Sequence, residues 1–240
     1  MTSSTKLNCL IVLSKDGVSA QSFIQCFTMT HTAFNVQLAT PGGKQAEFLS
    51  TDDQSRRWLS DFNTKPFSVP LCLEVIDAQR YSCLIVPHSP GAVHDLASSV
   101  TLGQILAQFI RDRKLICAVG LGVAALLSCV DVPKDMQGQT IADFQSEKHK
   151  SLSWLFKSYS MTGSTVCELA CAANFGTLPV IVEDEVRDRG GSFSASGESG
   201  AVHVVVDRHL VTGQNEASTI TAVQNLVLLA NQRQGKATSK

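Results

Sequence analysis

The stretch Leu115-Ile-Cys-Ala-Val-Gly-Leu-Gly-Val-Ala-Ala-Leu126 decides how the chain is read. Its first five residues form an unbroken apolar run, as in a strand covered on both faces. The next residues are small and apolar and open a helix, with only Gly120-Leu121-Gly122 between. A strand running straight into a helix is the repeating unit of a parallel α/β sheet. The same alternation extends outward in both directions. Strands are expected at Leu7–Leu13, Phe34–Thr40, Tyr81–Pro87, Tyr159–Thr162, Val202–Asp207 and His209–Thr212. Helices are expected from Ser19 to Ala33, over Asp52–Phe62, Val93–Arg113, Val123–Cys129, Ser164–Ala173 and Leu178–Arg189, and from Asn215 or Ser218 to Ala230. The predicted fold is a doubly wound, mostly parallel α/β sandwich of the flavodoxin type, with helices on both faces. Ligand sites in such sheets lie beyond the carboxyl ends of the central strands. That directs attention to Ser14–Ser19, Pro87–Gly91 and Gly120–Gly122.

The chain has 240 residues, 44% hydrophobic and 17% charged, which suits one globular domain over residues 7–230. Residues 1–6 and 231–240 are expected to be flexible, and the polar segment 131–150 an exposed excursion. Twenty basic residues against twenty-one acidic ones leave a net charge of −1. No broad basic field exists, so direct binding to nucleic acid or to an anionic membrane is not expected. Leu7–Leu13 is too short to span a bilayer, and no small-residue cleavage site follows it, so no signal peptide is expected. The eight cysteines lie mostly in apolar runs and read as reduced core thiols of a cytosolic protein. Cys167 and Cys171 are spaced CxxxC, but no second Cys/His pair follows, so neither metal nor cofactor is expected.

The turn at Gly120 has three readings. A sharp strand-to-helix turn between small residues is the form of a nucleophile elbow, which needs an oxygen or sulfur at its apex. Gly120-x-Gly122-x-x-Ala125 also satisfies the dinucleotide fingerprint. However, it sits on about the fourth strand, and no acid ends the next strand 20 residues on. The third reading is close strand-to-helix packing that only glycine permits.

Several segments resemble the class-1 glutamine amidotransferase-like superfamily, in its PfpI and Parkinson-disease-protein-seven branch. They are Ala39-Thr-Pro-Gly-Gly43, Leu84–Leu96, Ile116–Leu126, Leu178–Val186 and His203–Asn215, in the family's order. The subgroup they most resemble is the glutamine amidotransferase-like class-1 domain (Parkinson disease 7 domain-containing) proteins, through Gly17–Phe23, Ile116–Gly120 and His203–Asn215. By that resemblance, the family's nucleophilic cysteine falls on Gly120, its neighbouring histidine on Leu121 and its acid partner on Ser19. The family's Gly-Gly-His segment becomes His88-Ser89-Pro90. Losing nucleophile and base together removes the covalent step.

The expectation is therefore a chain that is not an enzyme. Its vestigial pocket would comprise Ser19, His88, Ser89, Gly91, Gly120, Leu121 and Gly122, with an oxyanion-like backbone site around Ser89, Gly91 and Leu121. The subgroup resemblance further implies a homodimer or homotetramer. It also implies a subunit role in a cytoplasmic Rab-effector assembly (FERRY-like), peripheral to early endosomes and linked to mRNA transport. The alternatives are a residual dicarbonyl hydratase or amidase, and a small-molecule binder using the pocket.

Other residues read as structural. Cys117 is expected to be a core thiol, and Cys129 a poor nucleophile at a helix C-terminus. His88 and His94 are expected at the pocket rim, and His203 and His209 in structural roles. Glu183-Asp-Glu-Val-Arg-Asp-Arg189 reads as a solvated helix face with Glu183–Arg187 and Glu185–Arg189 pairs.

Overall fold

A computed structural model of the chain describes residues 6–131, 153–172 and 175–238. Most of the segment read as an exposed excursion, and the terminal residues 1–5, 239 and 240, lie outside the described residues. The strands are β1 (Asn8–Val12), β2 (Val18–Ser19), β3 (Asn35–Thr40), β4 (Phe48–Leu49), β5 (Leu71–Cys72), β6 (Cys83–Val86), β7 (Leu115–Val119), β8 (Ser160–Met161), β9 (Ser192–Phe193), β10 (Val204–Asp207) and β11 (Leu210–Gly213). The helices are α1 (Ala20–Ala33), α2 (Asp53–Asn63), α3 (Val100–Arg111), α4 (Val166–Ala170), α5 (Val182–Asp188) and α6 (Thr219–Thr238).

Seven strands form the main sheet, in the order β10-β11-β7-β6-β1-β3-β5. All neighbours are parallel except the hairpin β10–β11. The sheet is therefore the doubly wound, mostly parallel type that the sequence predicts. Side chains alternate across it with period two. Leu10, Val12, Leu84, Val86, Ile116 and Ala118 join the core on the α3 side. Cys9, Ile11, Cys83, Ile85, Cys117 and Val119 join the core beneath α1, α2 and α6. Burial on both faces is why these strands read as continuous apolar runs. On the second face, Phe23 and Phe27 of α1 interlock with Trp58 and Phe62 of α2, Phe23 and Phe62 meeting edge-on at 5.3 Å. Each buried ring contributes about 1.5–3 kcal/mol of transfer free energy.

Several element boundaries differ from expectation. The helix expected over Val93–Arg113 begins only at Val100. Ser99 caps it, its Oγ accepting from the Leu102 N–H at 3.2 Å, and Pro90–Val93 forms a separate 3₁₀ turn. The helix expected over Val123–Cys129 is a 3₁₀ segment spanning Gly120–Ser128. The Leu178–Arg189 helix is confined to α5, which begins only at Val182 after an extended Ile181. The Ser164–Ala173 helix shortens to α4, started by a Thr165/Glu168 capping box. The short strand β9, not among the expected strands, pairs in parallel with β8. The last helix runs past Ala230 to Thr238. No described helix is long and apolar enough to cross a membrane.

Candidate functional site

The carboxyl ends of β1, β6, β7 and β11 converge on one cavity of about 630 Å³. Asp16 follows β1, His88 and Gly91 follow β6, Leu121 follows β7, and Asn215 and Glu216 follow β11. Ser164 and Glu168 form the opposite wall together with Leu169 and Leu178. The topological rule for ligand sites in open α/β sheets thus locates it.

The apex at Gly120 has a left-handed backbone, φ +57°. A β-carbon there would lie 2.1 Å from His88 Nδ1. A β-carbon at Gly122 would lie 2.2 Å from the Pro87 carbonyl oxygen. Both glycines of the fingerprint are thereby explained by the crossing of this turn over the residues that follow β6.

His88 is fixed at three points. Its N–H donates to Ser22 Oγ at 2.9 Å, and its carbonyl accepts from Ser19 N–H at 2.9 Å. Its Nδ1 accepts from the Leu121 N–H at 3.1 Å. Ser22 Oγ in turn hydrogen-bonds Thr219 Oγ1 at 2.9 Å, anchoring the assembly to α6. Burial pushes the His88 pKa down, against a weaker upward pull from the Glu216 and Glu168 carboxylates. The ring is neutral at pH 7, and with Nδ1 accepting, its proton is on Nε2.

The oxyanion-like backbone site expected around Ser89, Gly91 and Leu121 is not available. The Leu121 N–H is taken by His88, and the Gly91 N–H donates to the Gly17 carbonyl at 3.0 Å. Ser89 is fully buried, its hydroxyl donating to the Pro87 carbonyl at 2.9 Å. Of the expected pocket residues, His88, Gly91 and Leu121 line the cavity, whereas Ser19, Ser89, Gly120 and Gly122 lie behind its wall. His94 also lines it.

Two carboxylates escaped the sequence reading. Ser19, where the sequence resemblance puts the family's acid, donates its hydroxyl to Glu216, and its oxygen also caps α1 by accepting from Ser22 N–H at 3.1 Å. A carboxylate thus stands beside the site from the far end of the chain. Glu168 Oε1 accepts from Gln214 Nε2 at 2.9 Å, Asn215 Nδ2 at 2.8 Å and Gly200 N–H at 3.3 Å. Its Oε2 accepts from the Thr165 N–H at 3.2 Å. The Thr-x-x-Glu spacing of Thr165 and Glu168 marks this helix start in the sequence, and β11 leads directly to Glu216.

The remaining candidates lie away from the cavity lining. Cys117 is fully buried, and burial holds its thiol pKa well above the ordinary range. The Cys129 thiol is pushed up to about 12, chiefly by burial. His203 Nε2 shares a hydrogen bond with Ser194 Oγ at 3.0 Å. His209 packs edge-on against Tyr159. Among the described residues, no group of three or more metal-ligating side chains is assembled.

No protein-family model matches the chain. It is 52% identical over 227 residues to the Homo sapiens glutamine amidotransferase-like class 1 domain-containing protein 1, covering 94% of each. It is 48% identical to the Danio rerio protein of the same name, over 95% of this chain and 99% of that one. The chain belongs to the glutamine amidotransferase-like class 1 domain-containing protein 1 family. Solved structures similar to this family member include the Francisella tularensis Rapid Encystment Protein 24 kDa, at TM-score 0.74 and 17% identity, covering 92% of this chain and 98% of that one. A Candida albicans glyoxalase III superposes at TM-score 0.69 and 16% identity, over 92% and 96% of the two chains. Drosophila melanogaster DJ-1beta does so at 0.58 and 14%, over 93% and 89%. These likenesses establish the DJ-1/PfpI fold that the sequence resemblance implies.

Proposed function

We propose that this family member is a non-catalytic, self-associating subunit of a larger assembly. The finer form of the reading is a cytoplasmic Rab-effector complex peripheral to early endosomes and linked to mRNA transport. The observation that carries the non-catalytic part is the pairing of Gly120 with His88. An acyl-transfer or hydratase mechanism needs a nucleophile at the apex and a free N–H to hold the developing oxyanion. Here the apex has no side chain, and the Leu121 N–H is occupied by a neutral imidazole. Restoring the chemistry requires more than one substitution, because a cysteine at 120 has no room while His88 is in place.

The surface supports the subunit part. β5 is an edge of the main sheet, and around it Phe67, Val69, Leu71 and Val75 are exposed, Val75 at 73%. Exposed apolar side chains clustered around an edge strand suit a surface that a partner covers.

The test combines light scattering of the purified chain, pull-down with Rab-effector subunits, and turnover assays with methylglyoxal and glutamine. The expected result is a mass above that of one chain, co-purification in fixed stoichiometry, and no turnover above background. Val69→Lys with Val75→Lys should dissociate the assembly without unfolding the chain. Turnover that is lost in Cys117→Ala or His88→Ala would overturn the reading.

A further inference from the structure

The cavity at the carboxyl ends of the strands has two chemically distinct walls. Leu49, Leu121, Leu169 and Leu178 give it an apolar side. Its volume of about 630 Å³ falls within the rough range of 300–1,000 Å³ typical of small-molecule sites. The polar side carries Asp16, Glu168 and Glu216, and among the described residues no lysine or arginine lines the cavity.

These carboxylates are not equivalent. Asp16 is paired with Lys15 at 2.6 Å. Glu168 is surrounded by neutral donors on both oxygens. Glu216 receives only the Ser19 hydroxyl, on Oε2, and pairs with no lysine or arginine among the described residues. Its Oε1 is left to an incoming donor. A half-buried carboxylate without a counter-charge favours a cation and repels an anion, the more strongly because the leucine wall lowers the local dielectric.

We propose that this cavity binds an organic ammonium ion, the ammonium group on Glu216 Oε1 and an apolar body against Leu121, Leu169 and Leu178. The His88 Nε2–H would serve a neutral acceptor on the same ligand. This goes beyond the assembly role and does not depend on it.

The test uses three probes with one skeleton: 4-phenylbutylamine, 4-phenylbutanol and 4-phenylbutyrate. Each is titrated into the full chain while the backbone amide resonances of Leu121, Gly200 and Asn215 are followed by NMR. The amine is expected to shift all three resonances at millimolar concentration, the alcohol weakly and the carboxylate not at all. Glu216→Gln keeps an acceptor for Ser19 but removes the charge, so amine affinity should fall about tenfold or more. Should that variant fail to fold, Leu178→Trp, which fills the apolar side, should abolish the shifts in its place. Equal or tighter binding of the carboxylate, unchanged amine affinity in Glu216→Gln, or no shift with any probe would overturn the proposal. None of these readouts involves turnover or oligomer mass, so failure here leaves the subunit reading intact.

Discussion

His88 Nδ1 occupies the space that a β-carbon at Gly120 would need, the two lying 2.1 Å apart if the carbon were present. The bare apex at Gly120 and the placement of the His88 ring are thus coupled in physical terms. Glycine at the apex leaves room for the imidazole, and the imidazole in turn satisfies the Leu121 N–H. Such a pair should behave cooperatively under mutation.

Gly120→Cys should therefore destabilise the chain and not revive it. A non-glycine residue in left-handed backbone costs about 1–2 kcal/mol, and displacing the imidazole loses a hydrogen bond worth about 1 kcal/mol. Urea unfolding should show a loss of about 2–3 kcal/mol, the sum of those two effects. In the His88→Ala background the same substitution should cost less, since the obstructing ring is gone. Equal costs in both backgrounds would refute the coupling.

Glu168 ties the start of α4 to the segments carrying Gly200, Gln214 and Asn215. Burial pushes its pKa up, but hydrogen bonds from Asn215, Gln214, Thr165 and Gly200 outweigh it, and the net shift is downward from 4.5. The sign follows by linkage. A carboxylate with a depressed folded pKa contributes stability that is complete above its unfolded value and is lost as pH falls through the folded one. Thermal melts of Glu168→Gln should thus lie below wild type at pH 7. The gap should narrow as pH drops below about 4.5, where both side chains are neutral in the unfolded chain. A gap independent of pH would show that the charge is irrelevant.

The fold was legible because the central strands are buried on both faces, so Leu7–Leu13 and Leu115–Val119 read as strands without alternation. The turn at Gly120 was equally legible, because Gly120-Leu121-Gly122 directly follows an apolar strand, and its left-handed backbone is what glycine permits. The pocket wall was not. Glu168 and Glu216 come from segments far apart in sequence, and only the topology brings them to His88. The fate of the Leu121 N–H was also hidden, since no sequence pattern reports that a histidine more than thirty residues earlier turns its ring onto that amide. Helix lengths erred where a cap overrode apolar periodicity, as Ser99 does at α3.

Thiol chemistry should separate core from surface. Cys9, Cys26, Cys83, Cys117 and Cys129 are buried, whereas Cys167 and Cys171 are exposed. Burial raises the pKa of Cys26 to about 12 and holds that of Cys117 well above the ordinary range, leaving almost no thiolate at neutral pH. Iodoacetamide labelling of the native chain, read by peptide mass spectrometry, should modify Cys167 and Cys171 first. Cys117 should react only after denaturation. Rapid native labelling of Cys117 would contradict its burial in the sheet core.

The two arginines of α5 look alike in sequence but are placed differently. Arg187 pairs with Glu183 at 2.9 Å, with about half of its side chain in solvent. Arg189 pairs with Glu185 at 2.7 Å, is less exposed, and donates from Nη1 to the Leu127 carbonyl at 2.9 Å. It thereby ties α5 to the 3₁₀ segment that follows the Gly120 turn. The exposed i,i+4 pair is worth about 0.3–0.5 kcal/mol. The Arg187 guanidinium also lies over the Phe193 ring at 5.5 Å, a contact worth about 0.5–1 kcal/mol. Arg187→Ala should therefore cost about 1 kcal/mol in urea unfolding, and Arg187→Lys, which keeps a cation for Glu183, less. Arg189→Ala removes a comparable pair and also strips a carbonyl of its charged donor, for a total of about 1–2 kcal/mol. The comparison is clean if both variants keep the wild-type m-value. A cost for Arg189→Ala no larger than the about 0.3–0.5 kcal/mol of its ion pair would mean that the Leu127 contact contributes nothing to holding α5 against the turn.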